Sequence, residues 1–192
     1  AYSMDPRNFL EESKIFQFEQ LTYYPGVHTI EAVQSVLKGS FMENKQVTFM
    51  DLDGVEKTMS YPQIFMEAAE RTGVNPFFLA QRCLTEVGTK GSDSVHGKVV
   101  GYEDHYNFYN IGASAGSNPI LNGLKYARYG SSGNGPSENE KRDYLLPWDN
   151  PWKAIVGGAN WIGRGYILAG QDTSYLQKFN LDGDTYGTYW HQ

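Results

Sequence analysis

The chain of 192 residues contains a single cysteine, Cys83, so an intrachain disulfide is excluded. It has no C-x-x-C pair, and its histidines, at 28, 96, 105 and 191, lack the helical pairing of a zinc site. We therefore predict no bound metal and no other cofactor.

Long apolar runs are missing as well. No stretch approaches the roughly 18 apolar residues that indicate a membrane-spanning helix, so we predict no membrane partner. The N-terminus lacks the charged and apolar parts of a secretory signal. We interpret the chain as a domain cut from a longer or processed protein, and the missing signal therefore says nothing about location.

The sequence also lacks an excess of positive charge. Its net charge of −6 argues against a nucleic-acid partner, because phosphate binding needs a basic surface. Aromatic residues, by contrast, are abundant, with fourteen Tyr, ten Phe and four Trp. Their flat apolar faces suit the stacked faces of sugars, although most of these rings must belong to the core. A carbohydrate polymer therefore remains compatible with the composition.

Helical patterns dominate the chain, and the predicted fold class is α+β, mainly α, with a helical core and a small β-hairpin lobe. An Asp-Gly turn predicts a hairpin within 47–59, and two more short strands are expected around 98–102 and 106–109. Residues 130–143 are expected to form a long loop, suspected to line an active site. Cap, proline and glycine signals predict helices over 29–39, 60–73, 75–88, 119–128, a helix of about 18 residues from Pro151, and 173–179.

The helix from Pro151 contains glycines at 157, 158, 163 and 165. Each weakens a helix by roughly 1 kcal/mol relative to alanine. Close packing against a neighbouring segment is the expected reason for them.

Glu86 is the leading candidate for a proton donor. It lies in the last turn of the 75–88 helix, beside an apolar stripe that predicts burial. Desolvation and the negative end of the helix dipole are both expected to raise its pKa. A protonated carboxyl near neutral pH is what glycosidic cleavage requires. The simpler alternative is an exposed Glu86, or one paired with Arg82 one turn earlier.

Four segments, in this order, resemble the catalytic domain of bacterial N-acetylglucosaminidase autolysins, whose core is lysozyme-like. They are FLAQRCLTEVGTKGS, YNFYNIGA, WDNPWKAIVGGANWIGRGYI and QDTSYLQKFN. The resemblance covers residues 60–180, while residues 1–59 look like the leading segment of clostridial autolysin domains. We expect 60–192 to be the catalytic core and 1–59 an N-terminal extension packed on it, as one structural unit.

The resemblance implies that Glu86 is the general acid and that Tyr109 and Asn110, with the two residues after them, line the substrate groove. Trp148 matches an aromatic position that often faces substrate. The family often has Glu-Ser-Gly where this chain has Glu86-Val87-Gly88, which removes a hydroxyl beside the acid. For Tyr109 and Trp148 a core position is equally compatible with the sequence.

A second catalytic carboxylate is less well defined. The candidates are Glu103 or the adjacent Asp104, either of which could be a plain turn residue, and Asp149, which could merely help to cap the following helix. Alternatively, the 2-acetamido group of the substrate itself attacks the anomeric carbon. The sequence leaves inverting, retaining and substrate-assisted mechanisms open.

The function implied is that of a secreted, wall-associated endo-β-N-acetylglucosaminidase that cuts the GlcNAc–MurNAc linkage of peptidoglycan. Its partner is the glycan strand, and a monomer is expected. Two alternatives stay open: a muramidase or lytic transglycosylase on the same fold, and a wall-binding module without catalytic activity.

Overall fold

The computed structural model describes residues 12–114, 116 and 118–179. Two compact units are distinguished there: residues 23–161, and residues 12–22 together with 162–179. Helices dominate, and the strands of the described part form one two-stranded antiparallel sheet. The predicted class, mainly α with a small hairpin, is thus confirmed. No helix in the described ranges is long and apolar enough to cross a membrane.

The larger unit begins with a helix and a hairpin. Helix α1 covers Ile30–Val36, and the Thr29 side chain accepts a hydrogen bond from the Ala32 backbone N–H at 3.3 Å. Strands β1 (Gln46–Met50) and β2 (Glu56–Ser60) pair antiparallel. The turn between them contains Gly54 at φ 76°. The expected hairpin at this Asp-Gly turn is therefore confirmed.

Two helices then form the centre of this unit. Helix α2 (Tyr61–Thr72) starts with a capping box and ends at Gly73 in the left-handed conformation. Helix α3 (Pro76–Val87) starts after the capping side chain of Asn75. Both helices have the predicted boundaries, because the cap and stop residues lie at their ends. The apolar stripe of α3 is fully buried at Leu79, Ala80 and Cys83.

The segment after α3 contains turns and a short 3-10 helix, Asp93–Val95. The strands expected around 98–102 and 106–109 are wrong. Gly97, Gly101 and Asp104 all have positive φ, at 65°, 84° and 55°, which no extended strand allows. The Tyr106 backbone N–H instead donates to the carbonyl of Trp148, so this segment bonds to a distant part of the chain.

The sequence predicted one long loop over residues 130–143, and this prediction is wrong. After helix α4 (Pro119–Tyr129), the chain turns and forms helix α5 over Glu138–Tyr144. The Glu140 carboxylate accepts hydrogen bonds from the backbone N–H groups of Ser131 and Ser137, each at 2.8 Å. The S-x-x-E sequence at 137–140 is a capping box that starts this helix. The helix was not predicted because the segment is rich in charged residues.

Helix α6 covers Pro151–Gly165, and the expectation of close packing at its glycines is confirmed at two of them. A Cβ on Gly157 would overlap the carbonyl oxygen of Tyr144 and lie 2.7 Å from the indole nitrogen of Trp148. A Cβ on Gly158 would lie 2.5 Å from Cδ2 of Tyr109. The glycines therefore let α6 approach these residues.

The smaller unit contains two 3-10 helices, Glu12–Phe18 and Ile167–Ala169, and helix α7, Ser174–Phe179, at the predicted position. The rings of Phe18 and Tyr175 lie 4.9 Å apart. The domain boundary expected between residues 59 and 60 stays a prediction.

Candidate active site

Glu86 lies in the last turn of α3, as expected, but it is half-buried rather than fully buried. About a quarter of its side chain is exposed (27%), and Oε1 lies 3.2 Å from Nε of Arg82, one turn earlier. The pairing considered as the simpler alternative is therefore present. The carboxyl group keeps a solvent-accessible face, which any group that reacts with a polymer needs.

The second oxygen of Glu86 contacts a residue far away in sequence. Nδ2 of Asn110 donates to Oε2 of Glu86 at 3.2 Å and to its backbone carbonyl at 2.8 Å. Each carboxylate oxygen therefore has its own contact, the charge of Arg82 at Oε1 and the Asn110 hydrogen bond at Oε2. The structure thus brings together Glu86 and Asn110, two of the residues singled out in the sequence, and Asn110 orients the carboxyl group.

The backbone at Asn110 makes this contact possible. Its φ of 52° is in the left-handed region, which asparagine occupies more readily than most residues with a side chain. The turn is held by Asn107, whose Oδ1 accepts from the backbone N–H groups of Tyr109 and Ile111 at 3.3 and 3.2 Å. Sequence reasoning missed Asn107, although asparagine commonly bonds to backbone two residues ahead.

Tyr109 and Trp148 do not line a groove in this structure, and their assignment as substrate-binding residues needs correction. Tyr109 is 3% exposed and Trp148 is fully buried. Nε1 of Trp148 donates to the Tyr144 carbonyl at 2.7 Å, while the Tyr109 ring lies against Gly158 of α6. A ring without an exposed face does not stack on a sugar, so both belong to the core.

The Tyr109 hydroxyl is nevertheless unusual, because it is buried without a hydrogen-bond partner among the described residues. Burial raises the pKa of Tyr109 well above its ordinary value. The group is therefore a neutral phenol that supports α3 and α6 by packing.

Two of the three candidates for a second carboxylate, Glu103 and Asp149, make local contacts. Glu103 is exposed, and hydrogen bonds from its own backbone N–H and from that of Gly101 hold the pKa of Glu103 below its ordinary value. Asp149 is 44% exposed and lies 2.9 Å from the ammonium group of Lys153. Asn150, not Asp149, caps α6, since its Oδ1 accepts from the Lys153 backbone N–H at 2.9 Å.

Within residues 12–114, 116 and 118–179, no group of three or more His, Cys, Asp or Glu side chains is arranged to hold a metal ion. What the site offers is one half-exposed carboxyl group with a fixed orientation. Such a group is suited to proton transfer with a bound substrate.

Known proteins with similar sequences include a bacterial glucosaminidase and bacterial autolysins, while no protein-family model matches the chain. A β-N-acetylglucosaminidase of Bacillus subtilis (strain 168) is 32% identical over 181 residues, which are 92% of this chain and 17% of that protein. A bifunctional autolysin of Staphylococcus aureus is 28% identical over 189 residues, 93% of this chain and 12% of that protein. The chain is similar to bacterial autolysins. It spans less than a fifth of the length of these relatives.

Solved structures show the same likeness. The major bifunctional autolysin superimposes with a TM-score of 0.60 at 27% identity, over 93% of this chain and 61% of that one. A catalytic mutant of S. aureus autolysin E in complex with the disaccharide NAG-NAM gives a TM-score of 0.55 at 25% identity, over 86% and 60%. The expected closeness to clostridial autolysins stays a prediction.

Proposed function

We propose that this chain is a peptidoglycan hydrolase, an endo-β-N-acetylglucosaminidase that cleaves the GlcNAc–MurNAc linkage with Glu86 as general acid. The single observation that carries this proposal is the contact between Asn110 and Glu86. Asn110 belongs to the motif expected beside the acid, and it contacts Glu86 although the two residues are 24 positions apart in the sequence. The homologous glucosaminidases support the substrate class, and one homologous structure holds the disaccharide NAG-NAM.

Glu86 has the geometry that this role needs. Its anchoring by Arg82 and Asn110 restricts the side chain to one orientation, so little rotational freedom is lost when substrate binds. Its exposed face is where the glycosidic oxygen would receive the proton. We place the enzyme outside the cell, in contact with the wall, where its glycan substrate lies, and we expect it to act as a monomer.

The test compares Glu86→Gln with the parent on purified wall. The amide keeps the size of the side chain but has no proton of suitable acidity, so we expect release of muropeptides to fall by about 10²–10⁴. Glu67→Gln is the matched control, because Glu67 pairs with Arg71 four residues later at 2.7 Å. A folded Glu86→Gln protein that digests wall at the parental rate would contradict the assignment.

The products decide between the enzyme classes. A new reducing GlcNAc supports a glucosaminidase, a new reducing MurNAc supports a muramidase, and anhydro-MurNAc supports a lytic transglycosylase. Binding to wall without any digestion supports the non-catalytic module.

Two further variants address the second catalytic group. A loss in Glu103→Gln or Asp149→Asn as large as that in Glu86→Gln would identify the second carboxylate. Full activity in both would leave Asp104 as the remaining candidate, and full activity in Asp104→Asn as well would support attack by the substrate's own acetamido group. The local partners of these two carboxylates, the Gly101 backbone for Glu103 and Lys153 for Asp149, favour full activity in both variants.

A further inference from the structure

Asn107 is a fully buried polar side chain with no assigned role. Its amide group makes four hydrogen bonds. Oδ1 accepts from two backbone N–H groups of the following turn, and Nδ2 donates to the carbonyls of Ile111 at 2.8 Å and Gly123 at 3.0 Å. These bonds use the whole capacity of the amide, so Asn107 connects the turn to helix α4.

The backbone of Asn107 is bonded to the segment that follows α3. Its N–H donates to the carbonyl of Ser94 at 2.8 Å, and Oγ of Ser94 donates back to its carbonyl at 3.0 Å. Ser94 is 1% exposed. Asn107 is therefore tied both to α4 and to the chain that leaves the helix of Glu86.

The turn closed by the Asn107 amide contains Asn110. The Asn107 amide bonds to both backbone groups of Ile111, the residue after Asn110, and to the N–H of Tyr109, the residue before it. A shift of the Asn107 amide therefore moves the backbone on both sides of the residue whose side chain contacts Glu86. The left-handed φ of Asn110 leaves this backbone little freedom to compensate.

We infer that Asn107 is a positioning residue for the proposed reaction, which sets the orientation of Glu86 through Asn110. This inference rests on the proposed function of Glu86. It goes further because it assigns the orientation of Glu86 to the amide of Asn107. This amide does not touch Glu86, and because it is fully buried it does not touch the substrate either. The effect of Asn107 on turnover must then disappear when the side chain of Asn110 is removed.

Direct truncation of Asn107 is a poor test, because unsatisfied buried groups would destabilise the fold. Gly123→Ala is a milder change. A Cβ at Gly123 would lie 3.0 Å from Nδ2 of Asn107 and 3.4 Å from Cβ of Ala113, so the amide must move by a few tenths of an ångström. Alanine in this helix is otherwise favourable by about 1 kcal/mol. Gly165→Ala in α6 is the matched control, since nothing lies within 4 Å of its Cβ.

The decisive measurement is a cycle of Gly123→Ala, Asn110→Ala and the double variant, in initial rates of reducing-end release across wall concentrations. We expect Gly123→Ala to lower kcat by about tenfold with KM little changed, since small misplacements of reacting groups are costly. In the Asn110→Ala background the same substitution should lower kcat less than twofold. Losses that multiply independently, or a Gly123→Ala protein with parental kcat, would overturn the inference.

A second measurement does not depend on activity. The side-chain amide resonances of Asn110 should follow the protonation of Glu86 in an NMR pH titration, because Nδ2 donates to Oε2. We expect this response to shrink in Gly123→Ala and to persist in Gly165→Ala. An unchanged response in Gly123→Ala would overturn the positioning role. A parent without wall activity would instead overturn the proposed function, while the titration still decides the role of Asn107.

Discussion

The phenol of Tyr109 is a place where a single polar atom is buried at a cost. Its hydroxyl has no hydrogen-bond partner among the described residues, and the side chain is almost completely enclosed. An unsatisfied buried hydroxyl costs about 1–3 kcal/mol. We therefore expect Tyr109→Phe to keep or raise the melting temperature, whereas Tyr109→Ala should lower it by many degrees by leaving a cavity. Thermal denaturation of both variants checks this.

The same pair of variants tests the core assignment of this ring against the groove assignment. If Tyr109 stacked on sugar, Tyr109→Ala would lose turnover with its melting temperature unchanged. Parallel losses of stability and activity are expected instead. A Tyr109→Phe protein much less stable than the parent would mean that the hydroxyl has a partner.

At this scale the sequence predicted which residues of the candidate site contact each other better than it predicted their surroundings. Glu86 was found from a helix pattern and a resemblance, and Asn110 contacts it as its motif suggested. The environments of Tyr109 and Trp148 were not predictable, since burial of an aromatic ring depends on contacts with α6 that no local pattern specifies. Asn107 was overlooked for the same reason, because its partners include Gly123 in another helix.

Helix α6 depends on glycine at one position above all. At Gly157, a Cβ would meet the Tyr144 carbonyl and the indole nitrogen of Trp148, which are hydrogen-bonded to each other at 2.7 Å. We expect Gly157→Ala to destabilise the fold by about 1–3 kcal/mol or more, despite the better helix propensity of alanine. Urea denaturation should show this loss. Gly165→Ala, which meets nothing, should be neutral or slightly stabilising, and equal losses in both variants would contradict the packing argument.

Helices with both terminal signals and an apolar face are predictable from the sequence, and turns defined by a positive φ are not. Helix α3 has its cap, its proline and its final glycine in sequence order, so its boundaries were correct. The pattern predicts strands for the turns after it, because nothing in an aromatic-rich sequence signals the left-handed φ of Asp104. Helix α5 was missed since only its capping box, and no apolar face, marks it.

For the whole molecule, a reaction in which Glu86 donates the proton leads to a simple expectation about chelators. Wall digestion should proceed at an unchanged rate in the presence of EDTA, because the proposed proton transfer uses side chains alone. Reducing-end release with and without chelator measures this. Activity lost on chelation and restored by zinc or calcium would show that the reaction needs a metal.

The acid stability of the molecule should depend strongly on one carboxylate. Burial raises the pKa of Glu140, but hydrogen bonds from Ser131 and Ser137 outweigh it and lower the value to about 2, against an ordinary 4.5. Between these values the unfolded chain binds the proton and the folded one does not. The contribution of Glu140 is therefore fully present above about pH 4.5 and is lost as the pH falls toward 2.

Glu140→Gln should accordingly be less stable than the parent at neutral pH, by about 1–3 kcal/mol, the usual cost of breaking hydrogen bonds to a buried charged group. Its melting temperature should fall less steeply than that of the parent as the solution is acidified. Glu138→Gln is the control in the same helix, because its side chain is 88% exposed and its pairing with Lys141 is screened by solvent. The melting temperatures of the parent and of Glu140→Gln should converge as the pH approaches 2. A difference in melting temperature that stays constant from neutral pH to pH 2 would show that the carboxylate contributes by packing rather than by its charge.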